Sequence, residues 1–334
     1  MTEKLLSVSV AAYNLGDMIK ENIESFVQSP ARDRIELLVT DDGSRDNTAD
    51  IVAAYAEKYP DTVRLIRQEN RGPGSTVNSG IAHATGKYFR MVDGDDWVDT
   101  ATLADFIAFL AKTEADMIVS AYEIYSDREK RVIDRVAPGA GHPEETVPFA
   151  VAAAFIPAQM HAVTFRTAVF REMGRKMDNG FYTDTEYLLF PIPYVKTVAF
   201  FDGTVYVYRV ARAGQSVNEE SMKRNCEKHL AILKVQTEVY SSVRDSLSPA
   251  RRQFLIARIA KMADVQLGTY LLFDKSRENK ARTRQFLCTL KKDAPDIYAG
   301  LRSQSKKCKL LVYSHFLAYP LARKLLLKKG RREY

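Results

Sequence analysis

The sequence predicts an α/β protein in which a mostly parallel sheet is flanked by helices and followed by a helical C-terminal region. Over the first 120 residues, short apolar runs typical of buried strands alternate with segments whose apolar residues recur at helical spacing. Beyond about residue 220 only the helical spacing continues. The 334 residues are 46% hydrophobic and 27% charged, which suffices for one large or two ordinary domains.

Five apolar runs predict the strands of the sheet, and helical patterns separate them. The runs cover residues 5–11, 35–39, 63–66, 88–92 and 117–119. The first helix carries apolar residues at helical spacing, namely Met18, Ile19, Ile23, Phe26 and Val27. The next helices begin at Asn47 or Thr48, after the glycine-containing loop 70–74, and before Leu103. Repeated strand–helix units of this kind build a parallel sheet with helices on both faces.

Polar side chains follow three of these predicted strands. Tyr13 comes after the first, Asp42 after the second, and the acidic run Asp93–Asp96 after the fourth. Ligands of open α/β sheets bind in the crevice beyond the carboxyl ends of the strands. We therefore expect these residues to lie in one ligand-binding crevice.

The residues at these strand ends form three motifs with a recognisable order. They are VAAYN at 10–14, TDDGSRD at 40–46 and VDGDD at 92–96. With Asn78 and the GKY sequence at 86–88 between them, they closely resemble the nucleotide-sugar-binding half of family 2 glycosyltransferases, which have the GT-A fold. The resemblance extends over roughly residues 5–210, more loosely in the second half. It departs at Ala11 and Ala12, where family members often carry a proline or a hydroxyl residue.

The acids of the crevice predict a divalent metal ion. A nucleoside diphosphate is itself negative, and it can lie beside carboxylates only if a hard cation stands between them. We expect Mn²⁺ or Mg²⁺ to bridge the diphosphate and one or two aspartates, where it would stabilise charge on the leaving group. By the resemblance, Asp95 is the residue nearest to the metal and the diphosphate.

The resemblance also implies a set of donor-binding residues. Tyr13 is expected to stack on the base, Asp42 to accept from the uracil N3–H, and Asp93 to lie near the ribose. The whole set implied for the nucleotide sugar is Ala11, Tyr13, Asp42, Arg71, Asp93, Gly94 and Asp95, with Arg71 approaching the phosphates. Other acids near the strand ends, Asp41, Asp46 and Asp99, are interpreted as turn residues and helix caps.

The acceptor side is expected around residues 179–187. This segment looks like the family's acceptor motif, in which an acidic pair precedes a helix, although Thr183 stands where the first acid is usual. The resemblance implies that Asp184 is the general base that removes the proton from the acceptor hydroxyl. Glu186 is the second candidate, and a helix cap is the structural alternative for Asp184.

The sequence also predicts the domain limits. A catalytic domain is expected at 1–215, with the nucleotide-sugar half at 1–120 and the acceptor half at 121–215. The segment 205–217 resembles the family's final strand and a loop that closes over the diphosphate, with Arg209 or Arg212 supplying charge. Residues 216–334 are expected to form a helical region.

The positive charge of the chain is concentrated at its end. The formal net charge is +7, but residues 300–334 hold ten Lys or Arg and one acid, for a charge of +9, which leaves −2 for the remainder. Inside this basic segment, residues 310–322 carry no formal charge and suit either an interfacial helix or a core helix. A possible partner of residues 306–334 is thus an anionic membrane surface. No nucleic acid partner is expected, since the body lacks a basic stripe.

Cysteine usage and hydropathy predict a cytoplasmic location, with the possibility of attachment at the inner face of the cell membrane. The three cysteines are scattered and form neither a disulfide framework nor a metal motif, which fits a reducing compartment. The chain begins without the apolar stretch of a signal peptide. The uncharged run 146–165 is interrupted by Pro148, Pro157, Gln159 and His161, which disfavours a membrane span.

The leading functional hypothesis is an inverting glycosyltransferase that uses a nucleoside diphosphate sugar, expected to be a UDP-sugar. Its acceptor is expected to be a glycan or a lipid-linked glycan of a bacterial cell surface. A nucleotidyltransferase is a second hypothesis, but residues 11–17 are not its usual glycine-rich, basic nucleotide loop. A third is a catalytically silent protein that binds sugar nucleotides without releasing UDP from them.

Overall fold

The computed structural model describes residues 3–178, 182–211 and 219–330, and the chain divides into two compact units. The first unit is Met1–Ala213 and the second is Gly214–Tyr334. The division lies two residues before the limit expected at residue 215.

The first unit alternates strands and helices along its first half. Its elements there are β1 (Leu6–Ala12), α1 (Met18–Val27), β2 (Ile35–Asp41), α2 (Thr48–Lys58), β3 (Val63–Arg67), α3 (Pro73–His83), β4 (Tyr88–Asp93), β5 (Trp97–Val98), α4 (Thr100–Lys112) and β6 (Met117–Ser126). Its second half contains β7 (Arg131–Val136), β8 (Val147–Pro148), α5 (Phe149–Ala152), β9 (Val163–Arg166), α6 (Thr167–Met173), α7 (Thr183–Leu189) and β10 (Thr197–Val210). Short 3₁₀ helices cover Arg32–Arg34, Ala153–Phe155, Met160–Ala162 and Ile192–Tyr194.

One mixed sheet organises this unit. Its strand order is β3-β2-β1-β4-β9-β6-β10-β5, with β7 paired to β6 and β8 paired to β10. Strands β1 to β4, which belong to the predicted nucleotide half, are parallel to one another. By contrast, β9 runs antiparallel to both β4 and β6, whereas β10 is parallel to β6. The sheet is therefore parallel where the strand–helix repeats predicted it.

The central strands are buried because helices cover both faces of the sheet. Leu6, Val8 and Val10 of β1 are fully buried. The first helix buries Ile19, Ile23 and other apolar residues at helical spacing against this core, as the sequence pattern predicted.

An aromatic cluster fixes α7 against the sheet. The ring of Tyr187 on α7 lies 5.4 Å from the Phe165 ring and 5.8 Å from the Phe170 ring, measured between centroids. Its hydroxyl donates to the carbonyl of Phe89 at 3.3 Å. Buried aromatic pairs of this kind each contribute about 0.5–1.5 kcal/mol beyond their buried area. The first turn of α7, which contains Asp184, is therefore held close to β4 and β9.

The second unit is helical, as expected. Its elements are α8 (Glu219–Arg224), α9 (Cys226–Val243), a 3₁₀ helix (Arg244–Ser246), α10 (Pro249–Leu272), α11 (Arg277–Asp293), α12 (Pro295–Gln304), α13 (Lys306–Tyr313) and α14 (Tyr319–Gly330). Ser248 caps α10 and Pro249 is its first residue, a favourable helix start. Among the described helices, none combines the length and the apolar composition needed to cross a bilayer.

The uncharged run 310–322 is not one helix, so the prediction of a single interfacial or core helix there was wrong. Helix α13 ends at Tyr313 and α14 begins at Tyr319. Between them His315 and Phe316 adopt left-handed backbone angles, with φ of 50° and 66°. These angles reverse the chain so that Phe316 is buried while Leu317 is 81% exposed. Pro320, the second residue of α14, marks the start of the new helix, whereas no glycine marks the left-handed angles of His315 and Phe316.

Candidate active site

Strand register brings the predicted donor-binding residues to one edge of the sheet. Ala11 on β1 pairs with Thr40 on β2 and, on its other side, with Asp93 on β4. Directly beyond this level the amide of Asp42 donates to the carbonyl of Ala12 at 2.8 Å. The carboxyl ends of the three parallel strands thus converge as the sequence predicted.

Asp42 is a buried carboxylate that organises the loop carrying Arg71. Its Oδ1 accepts from Gln68 Nε2 at 2.6 Å and from the Arg71 amide at 2.9 Å. Its Oδ2 accepts from the Gly72 amide at 2.9 Å. A carboxylate has about four acceptor positions, and three of those of Asp42 are used. One therefore remains to accept a hydrogen bond from a nucleotide base. The Arg71 side chain is exposed.

The loops after β1 and β2 are tied together beside Tyr13. Asn14, with φ of 50°, accepts at its side-chain oxygen from the Arg45 amide at 2.8 Å. Thr48 Oγ1 at the start of α2 accepts from the amides of Leu15 and Gly16 at 2.9 and 3.0 Å. These bonds fix the base of the loop, while the Tyr13 side chain remains 46% exposed. An exposed ring on a fixed loop is suited to stacking.

The acidic turn after β4 packs tightly against β1. A Cβ atom added at Gly94 would lie 2.6 Å from the Ala11 carbonyl oxygen and would also collide with Leu15, so this position requires glycine. Asn22 on α1 donates from Nδ2 to the carbonyls of Asp93 and Asp96 at 3.2 and 2.8 Å. The turn is thereby held in one conformation from two sides.

Within this turn Asp96 is the buried acid. Its Oδ2 accepts from the Tyr206 hydroxyl at 2.6 Å, and its Oδ1 accepts from the Arg209 amide at 2.8 Å. Both oxygens are thus engaged with β10. Asp93 and Asp95 are less buried than Asp96.

Arg209 joins the acidic turn to other elements of the first unit. Its Nε donates to the Asp95 carbonyl at 2.9 Å, and its guanidinium lies 4.6 Å from the Trp97 ring centroid. It forms ion pairs with Glu21 and, at 3.0 Å, with Asp127. Arg209, one of the two arginines expected to supply positive charge to the diphosphate, is thus engaged with the acidic turn. The other candidate, Arg212, lies outside the described residues.

The acids of the cleft repel one another. Burial, followed by the charges of Asp95 and Asp184, raises the pKa of Asp93 well above its usual range. The Asp184 side chain is exposed at the cleft. Protein atoms around its carboxyl group nevertheless desolvate it, which raises its pKa as well. Three carboxylates are therefore close enough to interact, and their mutual repulsion favours a bound cation.

His161 lies beside the acidic turn. One of its ring nitrogens and carboxylate oxygens of Asp93 and Asp96 all lie within 4.8 Å of one another. Its ring stacks on Tyr208, with centroids 4.3 Å apart, and burial together with the Arg90 charge lowers its pKa to about 3. The neutral imidazole is a competent metal ligand, and its buried Nδ1 has no hydrogen-bond partner among the described residues.

The two candidate bases on α7 occupy different environments. Asp184 is exposed, whereas Glu186 is fully buried and accepts at Oε2 from the Asp178 amide at 2.8 Å. Burial raises the pKa of Glu186 to about 7. The preceding segment is anchored by Asn78, whose side chain exchanges two 2.8 Å bonds with the backbone of Met177. Part of the acceptor motif, residues 179–181, lies outside the described residues.

Comparison with known proteins identifies the family. The sequence profile of glycosyl transferase family 2 matches residues 7–173, which is half of the chain. The chain belongs to glycosyl transferase family 2. The predicted family is therefore confirmed, and the profile spans β1 to α6, including the three motifs.

Curated relatives of this family 2 chain match it over limited segments. The putative glycosyltransferase EpsH of Bacillus subtilis is 33% identical over 125 residues, which cover 36% of this chain and 35% of EpsH. The poly(ribitol-phosphate) beta-glucosyltransferase of Bacillus spizizenii is 32% identical over 114 residues, covering 34% of this chain and 18% of that protein. The chain thus spans about a third of the length of the first curated relatives it matches.

Solved structures support the fold of this family 2 chain over nearly its whole length. S. aureus TarS 1–349 in complex with UDP has a TM-score of 0.63 at 20% identity, covering 99% of this chain and 92% of that one. The mannosyltransferase PcManGT from Pyrobaculum calidifontis, in complex with GDP-Man and Mn²⁺, has a TM-score of 0.52 at 17% identity, covering 97% and 87%. The predicted GT-A fold with an appended helical region is confirmed.

Sequence reasoning missed part of this family 2 site. The sequence did not indicate that His161 and Tyr206 lie beside the acidic turn, and Arg209 was expected at the diphosphate without its contacts to that turn. No short motif links them, since Arg209 and Asp95 are 114 positions apart. The signal available was that Tyr206 and Tyr208 alternate along a strand with Val205 and Val207, which indicates that both faces of β10 are covered.

Proposed function

We propose that the chain is an inverting, metal-dependent glycosyltransferase that moves a sugar from a UDP-sugar to an acceptor hydroxyl. The observation that carries this proposal is the meeting of Asp93, Asp95 and Asp184 at the carboxyl edge of the sheet. The UDP complex of TarS supports a uridine nucleotide as the donor, since that protein shares the fold. We take the two compact units as the domains of the protein, and we assign catalysis to the first unit, Met1–Ala213.

The residues of the acidic turn fit a hard divalent cation. The donor set is rich in carboxylate oxygens, the ligands preferred by Mn²⁺ and Mg²⁺, and the charges of Asp95 and Asp184 raise the pKa of Asp93. We assign Asp95 as the principal ligand, with Asp93 and His161 adjacent, because both oxygens of Asp96 are engaged with β10. When bound, the cation neutralises the diphosphate and stabilises charge on the leaving UDP.

Donor binding is assigned to the residues predicted from the motifs. Tyr13 offers its exposed ring to the uracil, and Asp42 accepts from the base at its remaining lone pair. Asp93 faces the ribose beside Ala11 and Gly94, whose lack of side-chain bulk leaves the strand edge open. Arg71 extends from the loop that Asp42 holds and supplies positive charge to the phosphates.

Asp184 is assigned as the general base. It takes the proton of the acceptor hydroxyl while that oxygen attacks the anomeric carbon from the face opposite the diphosphate. The bond from the anomeric carbon to the diphosphate oxygen breaks, and its electron pair leaves with UDP. One displacement of this kind inverts the anomeric configuration. Glu186 is less suited, because it is buried and already accepts from the Asp178 amide.

The acceptor is assigned to the glycans of a bacterial cell surface, free or linked to lipid. The Bacillus spizizenii relative, a poly(ribitol-phosphate) beta-glucosyltransferase, supports this class of acceptor. This reaction would take place on the cytoplasmic side of the membrane, where nucleotide sugars are made.

A thermal-shift screen of nucleotide sugars with and without Mn²⁺ tests the proposal. A ligand at about 100 times its Kd stabilises the fold by about 2.7 kcal/mol, which shifts the unfolding midpoint measurably. We expect a UDP-sugar to shift the midpoint only with Mn²⁺, and UDP to be released from it slowly in the absence of acceptor. A shift without any UDP release, even with surface-glycan acceptors, would favour a silent sugar-nucleotide-binding protein.

A further inference from the structure

Large apolar side chains are exposed along the last two helices of the second unit. Tyr313, Leu317, Leu321 and Leu325 are 70%, 81%, 49% and 54% exposed. They fall within 13 consecutive positions, whereas the other large apolar side chains exposed in the described chain are scattered through the first unit. Soluble proteins rarely concentrate large apolar side chains on one part of their surface unless that part binds a partner, a ligand or a membrane.

Two of the exposed leucines share one face of α14, and the third lies just before this helix. Leu321 and Leu325 are four positions apart, which places them on the same face, whereas Leu317 lies in the turn that leads into α14. The opposite face is already used for packing, since Phe316, Tyr319 and Ala322 are buried. The helix is therefore anchored in its unit without the leucines, and their exposure needs another explanation.

The segment that carries these leucines also carries exposed lysines. Lys324 lies between Leu321 and Leu325 on the same face, and Lys306 and Lys309 are exposed on the outer side of α13. None of the three forms an ion pair with a carboxylate of the described chain, whereas Lys307 is paired with Asp264 at 2.9 Å. The sequence from 300 to 334 adds only one acid to ten basic residues.

We propose that Leu317, Leu321 and Leu325, with Lys306, Lys309 and Lys324, form a docking surface for an anionic lipid bilayer. Leucines enter the acyl boundary while lysines meet the lipid phosphates, the arrangement of an interfacial amphipathic helix. Tyr313 adds a ring of the kind found at headgroup depth. Charge decides against a second copy of this chain as occupant, because two basic surfaces repel. The proposal stands independently of the assigned reaction.

Co-sedimentation of the full chain with vesicles tests this surface. We expect binding to vesicles of phosphatidylcholine and phosphatidylglycerol, little binding to phosphatidylcholine alone, and weakening as salt rises from about 0.05 to 0.5 M. The variant Leu317→Ser/Leu321→Ser/Leu325→Ser should lower the partition coefficient at least about tenfold. Substitution is preferred to removal of residues 306–334, because removal would also delete Phe316 and Tyr319 from the core.

A matched control tests whether replacing any exposed apolar residues with serine would lower vesicle binding. Val132→Ser/Ile133→Ser removes two apolar side chains, each 42% exposed, from β7 in the first unit, and should leave vesicle binding unchanged. Circular dichroism verifies folding, and UDP release reports the first unit separately. Equal vesicle binding by the triple variant and the original chain would overturn the proposal. So would the absence of anionic-vesicle binding, or a loss of self-association as the only effect of the triple variant.

Discussion

Three carboxylates grouped at the carboxyl edge of the sheet form the chemical centre of this protein. Asp93, Asp95 and Asp184 come from two elements, and the pKa of Asp93 is raised by burial and by both neighbours. Like charges in a partly buried cleft are costly unless a cation or a proton compensates them. The repulsion among these carboxylates would favour binding of a metal ion together with the donor diphosphate.

The base assignment predicts unequal effects for two isosteric substitutions on α7. Asp184→Asn should keep the affinity for UDP and lower the transfer rate by about 10²–10⁴-fold, because an amide cannot take the acceptor's proton. Glu186→Gln should be mild, since its amide oxygen can still accept from the Asp178 amide. Initial transfer rates and UDP affinities of both variants measure the difference. A severe Glu186→Gln with a mild Asp184→Asn would reassign the base to Glu186.

Glu186 also predicts a pH dependence of stability. Its pKa is about 7 in the folded chain against a usual 4.5, so the folded state binds more protons between these values. The free energy of unfolding should therefore fall as pH rises through this window, by up to about 3 kcal/mol from this group, and the contribution is fully present only below about 4.5.

Substitution of Glu186 isolates this contribution. Glu186→Gln keeps the shape of the protonated acid and cannot ionise, so it should be more stable than the original chain at pH 8 by about 1–3 kcal/mol and nearly equal to it at pH 5. Urea denaturation at several pH values measures both. Parallel pH profiles for the two proteins would show that Glu186 ionises normally.

At the scale of elements, β10 holds the shape of the acidic turn after β4. Tyr206 binds the Asp96 carboxylate, and Arg209 links the Asp95 carbonyl to Glu21, Asp127 and Trp97. A planar guanidinium can make these contacts together, whereas an ammonium group cannot. Arg209 is therefore a positioning residue for the turn.

Arg209→Lys should raise the Mn²⁺ concentration needed for half-maximal activity by about 10–100-fold, the usual range when a residue supporting metal ligands is lost. Excess Mn²⁺ should restore much of the rate, and UDP affinity at saturating metal should change little. Arg131→Lys, at an exposed ion pair with Glu129, is the matched control. An unchanged metal requirement with a lowered rate would instead place Arg209 on the substrate.

Local patterns predicted the strands, the helix starts and the convergence of strand ends, because these depend on residues near in sequence. The pairing of β10 with β5 and β6, which brings Arg209 to Asp95, depends on packing between distant segments and has no local signature. The same holds for His161, whose position beside Asp93 follows from the turn before β9. The left-handed angles of His315 and Phe316 have no local signature either, because neither residue is a glycine.

At the scale of the whole molecule, the residues assigned to the reaction and the excess positive charge lie in different parts of the sequence. Residues 1–299 carry a net charge of −2 and include every residue assigned to the reaction, whereas residues 300–334 carry +9. This separation predicts that added salt should weaken vesicle binding strongly while UDP release in solution changes much less. Measuring both over the same salt series checks it. An equal loss of both would indicate that salt acts on the fold instead.

UDP release from a UDP-sugar, followed with Mn²⁺ and with excess EDTA, tests the proposed metal-dependent transfer most directly. We expect release to require the metal and to be abolished in Asp95→Ala, which should still fold because Asp95 lies at the cleft rather than in the core. Asp105→Ala, an exposed acid on α4, should behave as the original chain. Undiminished UDP release in excess EDTA would contradict the account.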